Sequence, residues 1–392
     1  MLSNRVLNMN ESATLAMAQK ARELKDKGQD IISMSLGEPD FGAPEFLQVA
    51  AKEAIDEDFS SYTPVVGYKD LRQAISNKLQ RDNDLEYGLD QIIVSTGAKQ
   101  SIANLILSLI NPGDEVILPA PFWVSYEDVI KFAGGVPVIL KTTIESDFKV
   151  TTSQVRDAIT NKTKLFLFSN PCNPTGTMYF KNELIALAEV FKGSDVIIAS
   201  DEIYEYIVFE GKHFSIGSLD FVKDQVVTIN GLSKGYAVTG WRLGYLAGPS
   251  EIVKACSKIQ SQFTSGANSV AQRAAIAALN SGNSQVMYMR DAFLERRNFL
   301  INQMKKKVPH AIVNSPQGAF YLFPDLKYYL DNSKLKNVAQ LSEYLLTDAL
   351  VACTPGSAFG GDHNIRMSYA LSLEDIEKAV DRIATSLDKL IS

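Results

Sequence analysis

The sequence predicts an α/β protein: a large domain on a mostly parallel, seven-stranded sheet flanked by helices, with a smaller α+β domain beside it. Three observations predict this. Between residues 45 and 280, short apolar runs alternate with longer segments of helical periodicity. Beyond residue 281 the order becomes helix, strand, helix, strand, helix, the mixture expected of an α+β unit. The length of 392 residues holds two or three domains at roughly 100–200 residues each. The expected division is 45–280 for the large domain, with 1–44 and 281–392 forming the small one. No Ser/Gly linker separates them, so the two are expected to be in contact.

The runs expected as strands are Gln91–Ser95, Glu115–Pro119, Val136–Leu140, Leu165–Ser169, Val196–Ser200, Val226–Asn230 and Gly244–Ala247. Each is short, apolar on both faces and rich in Val, Ile, Leu and Phe, as strands covered by helices on both sides are. The segments between them are long enough for crossover helices. In Gln100–Ile110, for example, Ile102, Leu105, Ile106 and Leu109 mark one helical face. In the tail, Gln285–Lys307 reads as a long charged helix and Ala319–Phe323 as a strand. Val338–Leu350 follows as a helix, Ile365–Tyr369 as a strand and Leu373–Ile391 as a final helix.

Composition narrows the function. Thirty-nine Lys+Arg against 45 Asp+Glu give a formal charge of −6, with no long block of either sign. Such a chain advertises no basic face, so neither nucleic acid nor an anionic membrane is an expected partner. No stretch approaches the ~18 apolar residues of a membrane span, and Met1–Glu11 contains no apolar signal core. Cys172, Cys256 and Cys353 lie far apart without a C-x-x-C, which suits a reducing cytoplasm. His213, His310 and His363 form neither H-E-x-x-H nor a pair at helical ligand spacing, so no metal is expected.

Nucleotide motifs are missing. No two glycines sit two apart, which rules out G-x-G-x-x-G, and Thr96-Gly97-Ala98-Lys99 has Ile92 where a P-loop needs its first glycine. Gly231-Leu232-Ser233-Lys234-Gly235 does match the G-x-S-x-G elbow of serine hydrolases and follows a strand-like run. That chemistry would need an acid and a downstream histidine, for which His363 is a candidate. The same five residues also offer Lys234, a lysine in a turn at a sheet's carboxyl edge, where ligands bind in open α/β sheets. Desolvated there, it could act as a Schiff-base nucleophile, although a lone loop lysine is most often simply solvated. Asp201 ends another apolar run, and a carboxylate at a buried edge needs a partner unless it merely caps a helix or turn. Tyr204 lies near enough to serve the same pocket. Upstream, Asn170-Pro171-Cys172-Asn173-Pro174-Thr175-Gly176 forms a stiff turn that would aim the Asn173 amide in a fixed direction.

These segments together carry a resemblance. Asn170–Gly176, Asp201-Glu202-Ile203-Tyr204, Ser233-Lys234 followed by Gly240-Trp241-Arg242, and Ile365-Arg366-Met367-Ser368-Tyr369 resemble the class I/II aminotransferases. This is the fold type I family of pyridoxal 5'-phosphate (PLP) enzymes. The likeness begins at Leu36-Gly37-Glu38-Pro39-Asp40-Phe41 and spans nearly the whole chain, and it is strongest toward bacterial aspartate aminotransferases of the Ib branch.

The resemblance implies PLP as cofactor and a role for each matching residue. Lys234 would form the covalent imine with PLP and afterwards shuttle a proton. Asp201 would pair with the pyridine nitrogen, while Tyr204 and Asn173 would hydrogen-bond O3′. Gly97, Ala98, Ser233 and Arg242 would hold the phosphate, and Trp123 would stack on the ring, with a core tryptophan as the lesser alternative. Arg366 would grip the substrate α-carboxylate, with Gly37 closing over it and Trp123 and Asn173 also near the substrate. Lys99 would help hold a distal carboxylate, against the plain alternative of a solvated first-turn lysine. Tyr62 would reach the phosphate of a neighbouring subunit, implying a homodimer with shared active sites. Asn10 stands where some Ib members that also use prephenate have lysine, so that side activity is not expected.

The expected reaction is transfer of the amino group from L-aspartate to 2-oxoglutarate in two ping-pong halves. The alternatives are an aromatic amino acid or alanine as substrate, a PLP-dependent carbon–sulfur lyase, or a hydrolase at Ser233.

Overall fold

A computed structural model describes residues 2–7 and 9–392, so the reading of Met1–Glu11 falls outside the described residues at Met1 and Asn8. The strands in chain order are β1 (Ile32–Ser33), β2 (Ile92–Ser95), β3 (Glu115–Ala120), β4 (Val136–Lys141), β5 (Thr163–Ser169) and β6 (Ile197–Asp201). They continue as β7 (Val226–Gly231), β8 (Gly244–Ala247), β9 (Tyr321–Leu322), β10 (Val351–Ala352), β11 (Thr354–Pro355) and β12 (Ile365–Ser368).

Strands β2 to β8 form a seven-stranded sheet in the order β2-β8-β7-β6-β5-β3-β4. Strand β8 runs antiparallel to both of its neighbours, and the remaining pairs are parallel. Side chains alternate between two apolar layers, as a pleated strand dictates. Leu165 and Leu167 of β5 enter one cluster with Val116, Leu118 and Leu246, whereas Phe166 and Phe168 enter another with Ile117 and Ile198. The helix Ala98–Leu109 buries Ile102, Leu105 and Ile106, the face its periodicity predicts.

Some expectations need correction. Strand β4 is not covered on both faces. It is the sheet's edge, and Val136 and Ile139 remain exposed, because its apolar residues meet neighbours on one side only. The expected strand Ala319–Phe323 shrinks to β9, since only Tyr321 and Leu322 find a partner, in β12. The long helix begins at Met287 after a 3-10 turn over Ser284–Val286, and the helix from Val338 stops at Thr347, before Leu350 turns to φ +56°. The last helix, Leu373–Ile391, lies where its strong amphipathic pattern puts it, capped by Ser372.

Two small sheets complete the molecule, β11-β12-β9 and the parallel pair β1-β10. The latter joins the N-terminal segment to the C-terminal part, residue Ile32 opposite Val351. No helix among the described residues is long and apolar enough to cross a membrane.

Candidate active site

The parallel strands deliver their carboxyl ends to one edge of the large sheet, and the sequence motifs follow those ends. Gly97 comes after β2, Trp123 after β3, Asn173 after β5, and Lys234 after β7, while Asp201 is the last residue of β6. Because β8 is antiparallel, its amino end reaches the same edge and brings Arg242 there. A cavity of about 330 Å³ opens at this edge. Ala98, Lys99, Trp123, Asn173, Asp201, Tyr204, Ser233, Lys234 and Arg242 line it from the large sheet's side, and Gly37 and Arg366 line it from the small sheets. Gly97 stands directly behind, whereas Tyr62 lies elsewhere and is 99% exposed in the single chain.

Asp201 is buried at the cavity floor. Its Oδ2 accepts from the Tyr126 hydroxyl at 2.7 Å and its Oδ1 from the Ile203 amide at 3.3 Å. Burial pushes the carboxyl up to about 6, and the Tyr126 hydrogen bond pulls against that rise. No cation pairs with it among the described residues. Behind it, Glu202, Glu205 and His213 bring ligand atoms within 4.8 Å of one another. Protein donors already occupy those carboxylates: Ser200, Ser215 and His213 on Glu202, and Lys78, Asn83 and Asn230 on Glu205.

Lys234 Nζ donates to the Gly37 carbonyl at 2.5 Å. Burial lowers its amine from 10.5 to about 8; the nearby Glu38 carboxylate opposes this, and Arg366 and Arg242 add to it. Glu38 in turn accepts from the Thr239 hydroxyl, which ties the Gly37 segment to the loop after Lys234.

Arg242, in a left-handed turn at φ +55°, donates Nη1 to the Thr239 carbonyl at 2.8 Å. It faces the amino end of the helix Ala98–Leu109. Gly97 sits there at φ +82°, a conformation that strains any other residue, and a Cβ would also lie 2.6 Å from Arg242 Nη2. The Ala98 and Lys99 amides of that first turn have no carbonyl partner among the described residues.

Arg366 is fully buried yet has no carboxylate partner among the described residues. Nη1 donates to Asn173 Oδ1 at 2.9 Å and Nη2 to the Ser35 carbonyl at 2.5 Å, while Nε has no partner among the described residues. Its guanidinium lies between the rings of Tyr321 at 4.5 Å and Phe359 at 4.9 Å. Lys99 keeps solvent contact at the mouth, with Nζ 4.9 Å from the Trp123 ring centre. Partial loss of water and the Arg242 cation hold its amine below the ordinary lysine value.

Sequence reasoning missed two tyrosines and one contact. Tyr126 lies in the helix Ser125–Phe132, which sequence reasoning did not single out, and only the fold brings it to Asp201. Tyr321 sits in a run that reads as a strand core, yet it lines the cavity and its hydroxyl meets that of Tyr204 at 2.7 Å. The Glu38–Thr239 contact spans two distant segments, and no local signal marks it. The hydrolase reading fails on composition of the site, for no histidine lines the cavity beside Ser233 among the described residues.

A family model described as Aminotransferase class I and II matches residues 29–383. The aspartate aminotransferase of Bacillus subtilis is 43% identical over 390 residues, covering 99% of this chain and 99% of that protein. The asparagine–oxo-acid transaminase of Streptococcus mutans is 42% identical over 391 residues, again covering 99% of each. Among solved structures, the aspartate aminotransferase from Thermus thermophilus with maleate matches at TM-score 0.94 and 38% identity, covering 98% of this chain and 99% of that one. Likeness along the whole length, on a fold whose sheet edge gathers a desolvated lysine, a buried carboxylate and a buried arginine, makes the chain a member of the class I and II aminotransferases, enzymes that depend on PLP.

Proposed function

We propose that the protein is an aspartate aminotransferase, moving the amino group of L-aspartate to 2-oxoglutarate to give oxaloacetate and L-glutamate. One observation carries the choice of a dicarboxylic substrate. Arg366 and Lys99 are cations on the cavity wall, and neither has a carboxylate partner among the described residues. A ligand with a carboxylate at each end satisfies both. The Bacillus subtilis relative's name and the maleate of the Thermus thermophilus structure support the same choice.

The residues present fit PLP. Asp201 is a buried carboxylate with no paired cation among the described residues, suited to a protonated pyridine nitrogen. Arg242 and the free Ala98 and Lys99 amides suit a phosphate, and the space beside Gly97 that a Cβ would fill keeps them together. Bound there, PLP supplies an electron sink for the pair left when the substrate's Cα–H bond breaks. The chain does the rest. Asp201 holds positive charge at the ring nitrogen, Ser233 and Arg242 hold the phosphate, and Trp123 gives a flat wall. Asn173 and Tyr204 donate toward O3′. Arg366 fixes the α-carboxylate through its planar fork, with Gly37 leaving room for it, and Lys99 meets the distal carboxylate. Lys234 Nζ takes the proton from the substrate Cα, and its lowered affinity for protons makes the neutral amine accessible near neutral pH.

The same reading includes a symmetric homodimer in which the exposed Tyr62 reaches the neighbouring subunit's site. It also keeps 45–280 as the large domain, with 1–44 and 281–392 as the small one; the β1-β10 pairing supports the latter. A reducing cytoplasm belongs to it too, supported by three free cysteines. Asparagine as amino donor is the second reading, favoured by the Streptococcus mutans relative.

The test is a visible spectrum of the purified protein, read before and after L-aspartate and again after 2-oxoglutarate. A cofactor band that collapses with aspartate and returns with the keto acid is expected. A band that ignores aspartate but responds to asparagine, alanine or an aromatic amino acid refutes the dicarboxylic assignment. Pyruvate with ammonia as products would identify a lyase.

A further inference from the structure

Tyr321 touches three of the groups assigned to the substrate's carboxylate and the cofactor's oxygen: Arg366, Tyr204 and Gly37. Its ring lies under the Arg366 guanidinium, its hydroxyl meets the Tyr204 hydroxyl at 2.7 Å, and that hydroxyl also closes on Gly37, where a Cβ would collide with it. The three neighbours come from three separate stretches of chain, and β9 holds Tyr321 among them through its pairing with Ser368.

The protons can be counted. A tyrosine hydroxyl offers one donor and two acceptor positions. Neither hydroxyl of the pair has another protein partner among the described residues, and both side chains are buried. The hydrogen bond between them consumes one O–H and leaves the other free. Whichever hydroxyl accepts is the one that can donate elsewhere. The Arg366 cation over the Tyr321 ring draws electron density from it, which favours Tyr321 as the donor. The Gly37 backbone closes the space around that hydroxyl.

We propose that Tyr321 is a positioning residue: by donating to the Tyr204 hydroxyl it commits the Tyr204 proton to the cofactor side of the cavity. The inference rests on the proposed placement of PLP beside Tyr204. Accepting one hydrogen bond strengthens the next one donated along a chain, so Tyr204 becomes a better donor toward O3′. A stronger donor there withdraws negative charge from O3′ and makes the protonated linkage at Lys234 more acidic. Tyr321 thus couples the residue assigned to the substrate carboxylate, Arg366, to the acidity of the cofactor linkage.

The experiment is a pH titration of the visible band in the PLP-loaded, full-length protein. Tyr321→Phe keeps the ring under Arg366 and removes only the hydroxyl. It is expected to raise the midpoint by several tenths of a pH unit to about one unit. Tyr204→Phe is expected to raise it further, and adding Tyr321→Phe to that variant is expected to change nothing more. A 3-fluorotyrosine incorporated at position 321, a stronger donor of nearly the same shape, is expected to lower the midpoint. An unmoved midpoint in Tyr321→Phe, equal shifts in both backgrounds, or an unmoved midpoint with fluorotyrosine overturns the proposal. Absence of a pH-dependent band in the unsubstituted protein would instead overturn the functional reading on which it rests.

Discussion

Replacing Lys234 with methionine in the cofactor-free protein should make it more stable, not less, and the gain should vanish with rising pH. The amine's affinity for protons falls from 10.5 to about 8 on folding, chiefly through burial. At about 1.36 kcal/mol per unit that interval is on the order of 3 kcal/mol, trimmed to ~2 kcal/mol because the side chain keeps some contact with solvent. The sign follows from proton counting. Below about pH 8 the lysine is charged in both states, and the folded state bears the full cost. Between about 8 and 10.5 the unfolded chain still holds a proton that the folded one has released, so stability of the unsubstituted protein rises with pH. Lys234→Met, similar in length and without charge, removes the cost. Urea unfolding at fixed protein concentration should show the variant ahead by ~2 kcal/mol at pH 7 and level near pH 10.5. A variant less stable at pH 7, or a difference that does not shrink with pH, would refute the claim that burial destabilises this amine.

Tyr126→Phe removes the hydroxyl that holds Asp201 ionised against burial. Losing that bond, worth about 1–1.5 kcal/mol, should move the carboxyl from about 6 toward 7. PLP binding to the cofactor-free variant should then weaken about one pH unit earlier on acidification than in the unsubstituted protein; superimposable binding curves would exclude the role. Lys99→Met should raise KM for aspartate about tenfold, equivalent to ~1.4 kcal/mol, while leaving KM for alanine unchanged. Equal effects on both substrates would remove Lys99 from contact with the distal carboxylate.

The large sheet was legible because its strands need apolar residues on both faces, and such runs stand out between amphipathic helices. Residues at the ends of those runs were legible for the same reason. Asp201 closes β6, and Asn173 and Lys234 follow β5 and β7, so polar chemistry appears where apolar patterning stops. Strands β1, β10 and β11 hold two residues each, too few for any period to show. Tyr126 and Tyr321 were illegible on other grounds. Each is an aromatic in an apolar pattern, and nothing local separates a tyrosine that fills a core from one whose hydroxyl meets Asp201 or Tyr204. Their roles belong to tertiary structure, which sets a helix from one crossover beside the end of β6 and a C-terminal strand beside Arg366.

The cavity's charge explains why such a site is held so firmly. Lys234, Arg242, Arg366 and Lys99 face a space whose acidic lining is Asp201 and Glu38. Burial opposes the charge on Arg366 as it does on Lys234, so these buried cations are a source of instability. The fold counters this from behind. Glu205 accepts from Lys78 of the helix Lys69–Asn83, from Asn83 and from Asn230 of β7, binding the turn that carries Tyr204 to the strand that leads into Lys234. Glu202, beside Asp201, is held by Ser200, Ser215 and His213. These buried contacts fix the strand ends whose front faces line the cavity. A dianionic phosphate and a dicarboxylic substrate would offset these cations, so binding should add stability to the cofactor-free protein. The strain against stability and the affinity for anionic ligands are then two consequences of one arrangement of cations.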